Sequence, residues 1–376
     1  MKKEHINELD ITRALAILAV LMIHSTSTPV TTIPYNSHFF IVYVFLNIFS
    51  KFAVPVFIFL SGFVLFYNYI SKDYTKQMVI KFYKKRIIQI ALPFLFFSVF
   101  FYVCANYLAT YDLRLTFNQL FSGEFLQKLV IGKAYTHLYY IFIIVQFYVL
   151  FPIILYGIKK IPRFLLHLLW IGFIVQWAFF FFNDAIWHYP YRMSISLSYM
   201  FYFLLGGYIG VNYDKWKKFL NLKREHINWS IIVLWVVWIV SSLYNVYLYY
   251  FLYSNQAVFV NDLLLEFVFV VQSATASIVI LQLSFWIYHH WNKVLVNSMI
   301  NLGALSFGIY LLHPLFLLLY RRIPLSGNSV LFHLWSIGGF LIALFLTWGI
   351  VWLIGRYFKY HWIFFGPIPQ KIKYKK

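Results

Sequence analysis

Ten long apolar runs constrain this chain more than any other feature of its sequence. They cover approximately 11–29, 39–70, 86–109, 135–157, 163–183, 195–213, 228–252, 263–287, 300–320 and 332–356. Each approaches or exceeds the ~20 residues that a helix needs to cross a hydrocarbon core ~30 Å thick. Backbone N–H and C=O groups find no water there, so a spanning segment of this length closes its hydrogen bonds within itself, as a helix. The expected fold class is all-α membrane: a polytopic bundle of about ten transmembrane helices forming one integral membrane domain over residues 1–376. With 62% hydrophobic and only 11% charged residues, the composition excludes a soluble domain.

The formal net charge of +20 looks at first like a nucleic-acid signal. Its placement argues otherwise, because the cations sit in short segments between apolar runs. With a cytoplasmic N-terminus, 23 of the 31 Lys and Arg residues fall on the inner side. They cluster at 2–3, 72–86, 159–163, 215–224, 293 and 356–376. Six fall outside: Arg114, Lys128, Lys133, Arg192, Arg321 and Arg322. Arg13 and Lys51 are intramembrane. This asymmetry predicts cytoplasmic termini, an even number of spans, and outer loops near 30–38, 110–134, 184–194, 254–262 and 321–331. It leaves no role for nucleic acid. Lys2 and Lys3 precede the first run as in a signal peptide, but Arg13 interrupts that run and no small-residue cleavage site follows, so an uncleaved first helix is expected. The single cysteine, Cys104, rules out a disulfide framework or a cysteine-based metal site. The long second run carries Lys51 and Pro55 and should bend.

Two segments between the runs are amphipathic. Residues 110–134 are too polar to span, yet Leu120, Phe121, Phe125, Leu126, Leu129 and Val130 form a helical stripe suited to the outer membrane surface. The basic stretch 72–86, which also carries Met78, Val79, Ile80 and Phe82, should lie on the inner leaflet; the alternative is a solvated basic loop that binds anionic lipid. There is no Gly-rich phosphate loop, no zinc-spaced His/Cys set and no GxSxG elbow, so no metal is expected.

The first run, ITRALAILAVLMIHS, holds one arginine and one histidine. Eleven helical steps bring Arg13 and His24 to one face, roughly 16 Å apart along the axis. Ionisable groups at membrane depth are expensive and usually face a cavity or a partner. By loop charge, Arg13 is near the cytoplasmic face and His24 is in the outer half. His137, Glu266 (with Asp262 one turn further out) and His313 should reach the same outer depth from the fourth, eighth and ninth runs. His188 and Arg192 lie in an outer loop nearby. Singly, each such residue is more often structural, and Arg13 could simply snorkel. Together they suggest a polar path.

These residues, in this order, resemble the acyltransferase-3 family of integral membrane acyltransferases. The resemblance runs through R-x(10)-H from Arg13 to His24, FAVPVFIFLSGFVL in the second run, the basic segment ending at Arg86, THLYYIF and SFGIYLLHP. With YMFYFLLGGYIGVNYDK, it is nearest in look to the branch of staphylococcal intercellular-adhesin polysaccharide operons. Gln89 departs from a second arginine that many relatives carry three residues after Arg86. The resemblance implies a bacterial cell-membrane enzyme that moves an acyl group from cytoplasmic acyl-CoA to a hydroxyl of a cell-surface polysaccharide. Acetyl is the default and succinyl the alternative.

Chemistry gives the residues roles. A sugar hydroxyl attacks a thioester poorly without a base, and a histidine with its ordinary pKa near ~6.5 suits that task. His24 is the candidate. Arg13, Lys84, Lys85 and Arg86 are candidates for holding the phosphates of the donor, Arg by bidentate geometry, although Arg13 could instead hold Asp10. Tyr139, Tyr140 or Tyr310 could donate to a developing oxyanion. Glu266, His313 and His137 complete the catalytic candidates, with Glu266 orienting a histidine or binding the acceptor. Aromatic residues, 23% of the chain, fit interfacial belts and could also stack on sugar rings. Expected partners are acyl-CoA, a surface glycan, membrane lipid and a polysaccharide synthase. Two other readings remain open. One is a polysaccharide exporter or flippase, against which stands the lack of internal repeats. The other is a non-catalytic partner of the synthase.

Overall fold

The computed structural model describes residues 4–161, 163–254, 260–323, 329–369, 372 and 374–375. Parts of two expected outer loops, 255–259 and 324–328, lie outside the described residues, as do Lys2, Lys3, Lys371, Lys373 and Lys376. The helices in chain order are α1 (Asn7–Thr32), α2 (His38–Phe49), α3 (Ala53–Tyr69), α4 (Lys76–Arg86), α5 (Leu92–Thr110), α6 (Leu113–Leu120), α7 (Gly123–Val130), α8 (Tyr139–Lys160) and α9 (Phe164–Phe182). They continue as α10 (Met200–Val211), α11 (Tyr213–Leu220), α12 (Trp229–Tyr253), α13 (Asp262–His290), α14 (Lys293–Ala304), α15 (Ser306–Tyr320), α16 (Ser329–Leu341), α17 (Thr347–Tyr357) and α18 (Trp362–Phe365). The protein is an all-α polytopic membrane protein.

Among the described residues, eight helical stretches are long and apolar enough to cross a membrane. The other two expected spans are corrected in form. The ninth run folds as a broken pair, α14 and α15, bent by 75°. The bend falls at Leu305, where the backbone turns to φ −96°, ψ −2°. The sixth is the shorter helix Ser196–Val211, roughly 24 Å long at the usual rise. The second run breaks at Ser50–Phe52, a 3₁₀ turn between α2 and α3. Pro55 has no N–H to give the carbonyl of Lys51, so the regular ladder loses a rung there. Lys51 caps the break with its ammonium 3.6 Å from the centre of the Tyr249 ring.

The stripe expected over 110–134 is two short helices, α6 and α7. Asp112 and Ser122 each accept a backbone N–H at a helix start, from Leu115 and Phe125. Ser122 therefore ends one helix and opens the next. Phe121 at this junction is 85% exposed.

The chain divides into two compact units. The first comprises Met1–Phe57, Asn212–Leu353 and Pro369–Lys376. Its central helix is α1, against which α2, α13, α14, α15 and α16 pack. Ile11, Ile287, Val296 and Ile300 form one buried cluster. Phe40, Val44, Ile48 and Val246 belong to another. Lipid gives apolar side chains little reason to prefer one another, so polar contacts carry specificity. The Asn47 amide donates to the Ile23 carbonyl and to Thr26, both at 3.0 Å. Thr12 meets Ser284 at 2.9 Å. Asn245 donates to Gln272, and Trp235 donates to Gln282. Gly303 fits α14 onto α1: a Cβ there would lie 1.7 Å from the Asp10 carbonyl oxygen.

The second unit comprises Ile58–Val211 and Ile354–Ile368. Its close contact joins α3 and α10. A Cβ at Gly206 would lie 1.9 Å from the Phe59 carbonyl oxygen, and one at Gly62 would lie 2.0 Å from that of Phe203. The spacing of Gly206 and Gly210 is the small-xxx-small pattern that lets membrane helices touch backbones. Gly206→Val should therefore remove most of the protein that elutes as a single species in detergent. Gly123→Val should not, because no atom lies within 4 Å of a Cβ at Gly123. Equal yields from the two variants would contradict this contact.

Candidate active site

Helix α1 is unbroken from Asn7 to Thr32. The spacing of Arg13 and His24 therefore holds, and each end has its own surroundings within the first unit.

At the Arg13 end, Asp10 is buried. Its carboxylate accepts from the Arg13 guanidinium and from His5 Nε2, the latter at 2.8 Å. Arg13 and Asp10 are three residues apart, a spacing that faces side chains on one side of a helix. Asp10 also occupies the first turns of α1, where the helix dipole favours negative charge. Arg13 is thus oriented by a carboxylate and keeps part of its surface exposed.

At the His24 end, the helix is rich in hydroxyls. Ser25, Thr26 and Ser27 bond back to the carbonyls of Met22, Ile23 and His24. Pro29 sits one turn on and has no N–H for the Ser25 carbonyl. Helix α15 and its C-cap residue Arg321 meet this weakened turn. The His313 and His24 rings lie 5.1 Å apart, centroid to centroid, tilted by 52°. Arg321 donates Nη2 to the His24 carbonyl and to Ser27 Oγ, the latter at 3.0 Å.

His313 is fully buried. Its Nδ1 lies 3.1 Å from the Ile309 carbonyl oxygen. A carbonyl only accepts, so Nδ1 carries the proton and the ring is held in one tautomer. The Tyr310 ring stands 6.0 Å from the His313 ring. Glu266 is buried on α13 in the same unit, one turn inside the start of that helix at Asp262.

The remaining sequence candidates belong to the second unit. His137 is buried edge-on to Phe101 at 5.0 Å and to Tyr135 at 5.7 Å. Lys84 and Lys85 are exposed at the end of α4. The Arg86 guanidinium packs over the Tyr148 ring at 5.0 Å. Tyr139 and Tyr140 open α8.

Sequence reasoning missed Arg321, which it counted only as a loop charge. Its partner is 297 positions away. No spacing rule reaches that far, and the one available signal was an arginine pair at the end of a run ending in Tyr320.

The profile of the acyltransferase-3 family, described as an acyltransferase domain, matches residues 6–356. The chain belongs to this family. The match passes through both units and includes Arg13, His24, His313 and Arg321. A relative from Staphylococcus aureus strain Mu50, named "Probable poly-beta-1,6-N-acetyl-D-glucosamine export protein", is 26% identical over 85% of this chain and 84% of its own length. A protein of the same name from Staphylococcus epidermidis is 30% identical over 62% of this chain and 63% of its own. No solved structure matches.

Proposed function

We propose that this family member is a cell-membrane O-acyltransferase. It takes an acyl group, by default acetyl, from acyl-CoA on the cytoplasmic side and passes it to a hydroxyl of a polysaccharide on the outer side. The observation that carries this reading is the meeting of His24 with His313, on the same helix as an oriented Arg13, inside an acyltransferase family.

The chemistry balances on these groups. The acceptor oxygen attacks the thioester carbonyl carbon while His24 takes the hydroxyl proton. The carbon–sulfur bond then breaks, and the leaving thiolate recovers a proton from the imidazolium. His313, fixed in its tautomer, orients His24 or the acceptor hydroxyl. The Arg321 bond to the His24 carbonyl holds the turn on which the base is mounted. Arg13 engages phosphate at the other end of α1, so an extended carrier arm bridges the distance between the two.

The names of the relatives favour a second reading, polysaccharide export. The two separate on the donor, because an exporter has no use for acyl-CoA. Purified protein in nanodiscs should bind acetyl-CoA, and the binding should weaken as salt screens the cations. Absence of acyl-CoA binding at any salt would favour export.

A further inference from the structure

Helix α14 has a second face. Val296, Ile300 and Gly303 turn it onto α1. Val294, Asn297, Ser298 and Asn301 form one wall of a groove of about 620 Å³. That volume lies within the ~300–1,000 Å³ typical of small-molecule sites. The facing wall is Phe345, Trp348, Gly349 and Trp352, and Tyr374 of the C-terminal tail closes the site.

The groove has an apolar part and a polar part. Val294 is 75% exposed and Phe345 59%. Phe345 belongs to the apolar span 330–357, most of which is unburied within the protein and so faces lipid. The polar part is ordered. Trp348 Nε1 donates to Asn301 Oδ1 at 2.7 Å, and Asn301 Nδ2 donates to the Tyr374 hydroxyl at 3.0 Å. Asn297 Oδ1 accepts the Lys375 backbone N–H at 2.8 Å, which reserves its NH₂ for another acceptor. Lys293, exposed at the start of α14, is four residues before Asn297 and so shares its face of the helix, and Lys375 anchors the tail by donating to the Tyr288 carbonyl. The lining holds no carboxylate, and Lys293 and Lys375 are chain neighbours of its members Val294 and Tyr374.

The 75° bend gives the groove its depth. With α15 along the membrane normal, α14 runs nearly parallel to the membrane plane. Trp348 and Trp352 then mark the interface, where tryptophan concentrates.

We infer that this groove binds one anionic phospholipid. An acyl chain lies along Val294, Phe345 and Trp352. The phosphate faces Asn297, Ser298 and Lys293. Because the opposite face of α14 abuts Asp10, the bound lipid braces the helix that supports the Arg13 end of α1. This inference does not depend on the acyl-transfer reading.

The test is native mass spectrometry on delipidated full-length protein, titrated with phosphatidylglycerol or phosphatidylcholine. The wild type should retain one phosphatidylglycerol with about tenfold preference, the scale of one or two cations acting on an anionic lipid. Lys293→Gln should lose most of that preference. Gly349→Leu should fill the groove, because a Cβ there meets no atom within 4 Å, and should lower retention about tenfold. Should that variant fail to fold, Ser298→Phe, at an exposed wall position, makes the same test. Equal retention of the two lipids by the wild type, or wild-type phosphatidylglycerol retention by a folded groove-filling variant, would overturn the proposal.

Discussion

His24→Ala should lower acyl transfer by roughly 10²-fold or more, the usual scale for a lost general base, while the protein reaches the membrane at near-normal abundance. Two structural facts make abundance separable from activity. The His24 side chain is only partly buried. The bond from Arg321 goes to its backbone carbonyl, which alanine retains. Acetyl-CoA binding should survive, because Arg13 and its Asp10 partner lie at the other end of α1. The loss should thus appear in kcat and not in the donor KM, provided KM reports binding. A His24→Ala protein that keeps most of its activity would remove the base from the mechanism. His313→Gln gives an informative comparison, since it removes the second ring and leaves His24 intact.

Arg13 should produce the opposite split. Arg13→Lys keeps a positive charge beside Asp10, so the buried carboxylate is not stranded. It loses the planar fork that grips a phosphate through two parallel bonds. We expect the donor KM to rise about tenfold with kcat little changed, and the remaining affinity to be more sensitive to salt. Arg13→Gln should weaken the donor further. It also leaves Asp10 with only His5, so its folded yield must be measured alongside. An unchanged donor KM in Arg13→Lys would confine Arg13 to the structural ion pair with Asp10.

How much of this was visible beforehand depends on the reach of each contact. The helical register of α1 is periodic and local, so the shared face of Arg13 and His24 follows from eleven steps along one helix. The bond to Asp10 is local too, at three residues. The meeting of His24 with His313 joins residues 289 positions apart. No periodicity links them; loop charge gave only a shared depth, which His137 and Glu266 were expected to share as well. The bend at Leu305 was hidden because the apolar run passes through it without a proline or a charge. Ser122 was a readable helix start, but the apolar stripe on both sides of it suggested one continuous helix. Gly303 and Gly206 looked like ordinary glycines in apolar runs until the carbonyls of Asp10 and Phe59 were placed against them.

The most direct measurement is acyl transfer by the purified protein in proteoliposomes, with labelled acetyl-CoA supplied on the side of Arg13 and oligosaccharides of cell-surface polysaccharides on the side of His24. The wild type should place label on oligosaccharide hydroxyls and release free CoA in equal amount, and His24→Ala should lose the label. The contradictory result is unlabelled oligosaccharide crossing the bilayer at the same rate with or without acetyl-CoA.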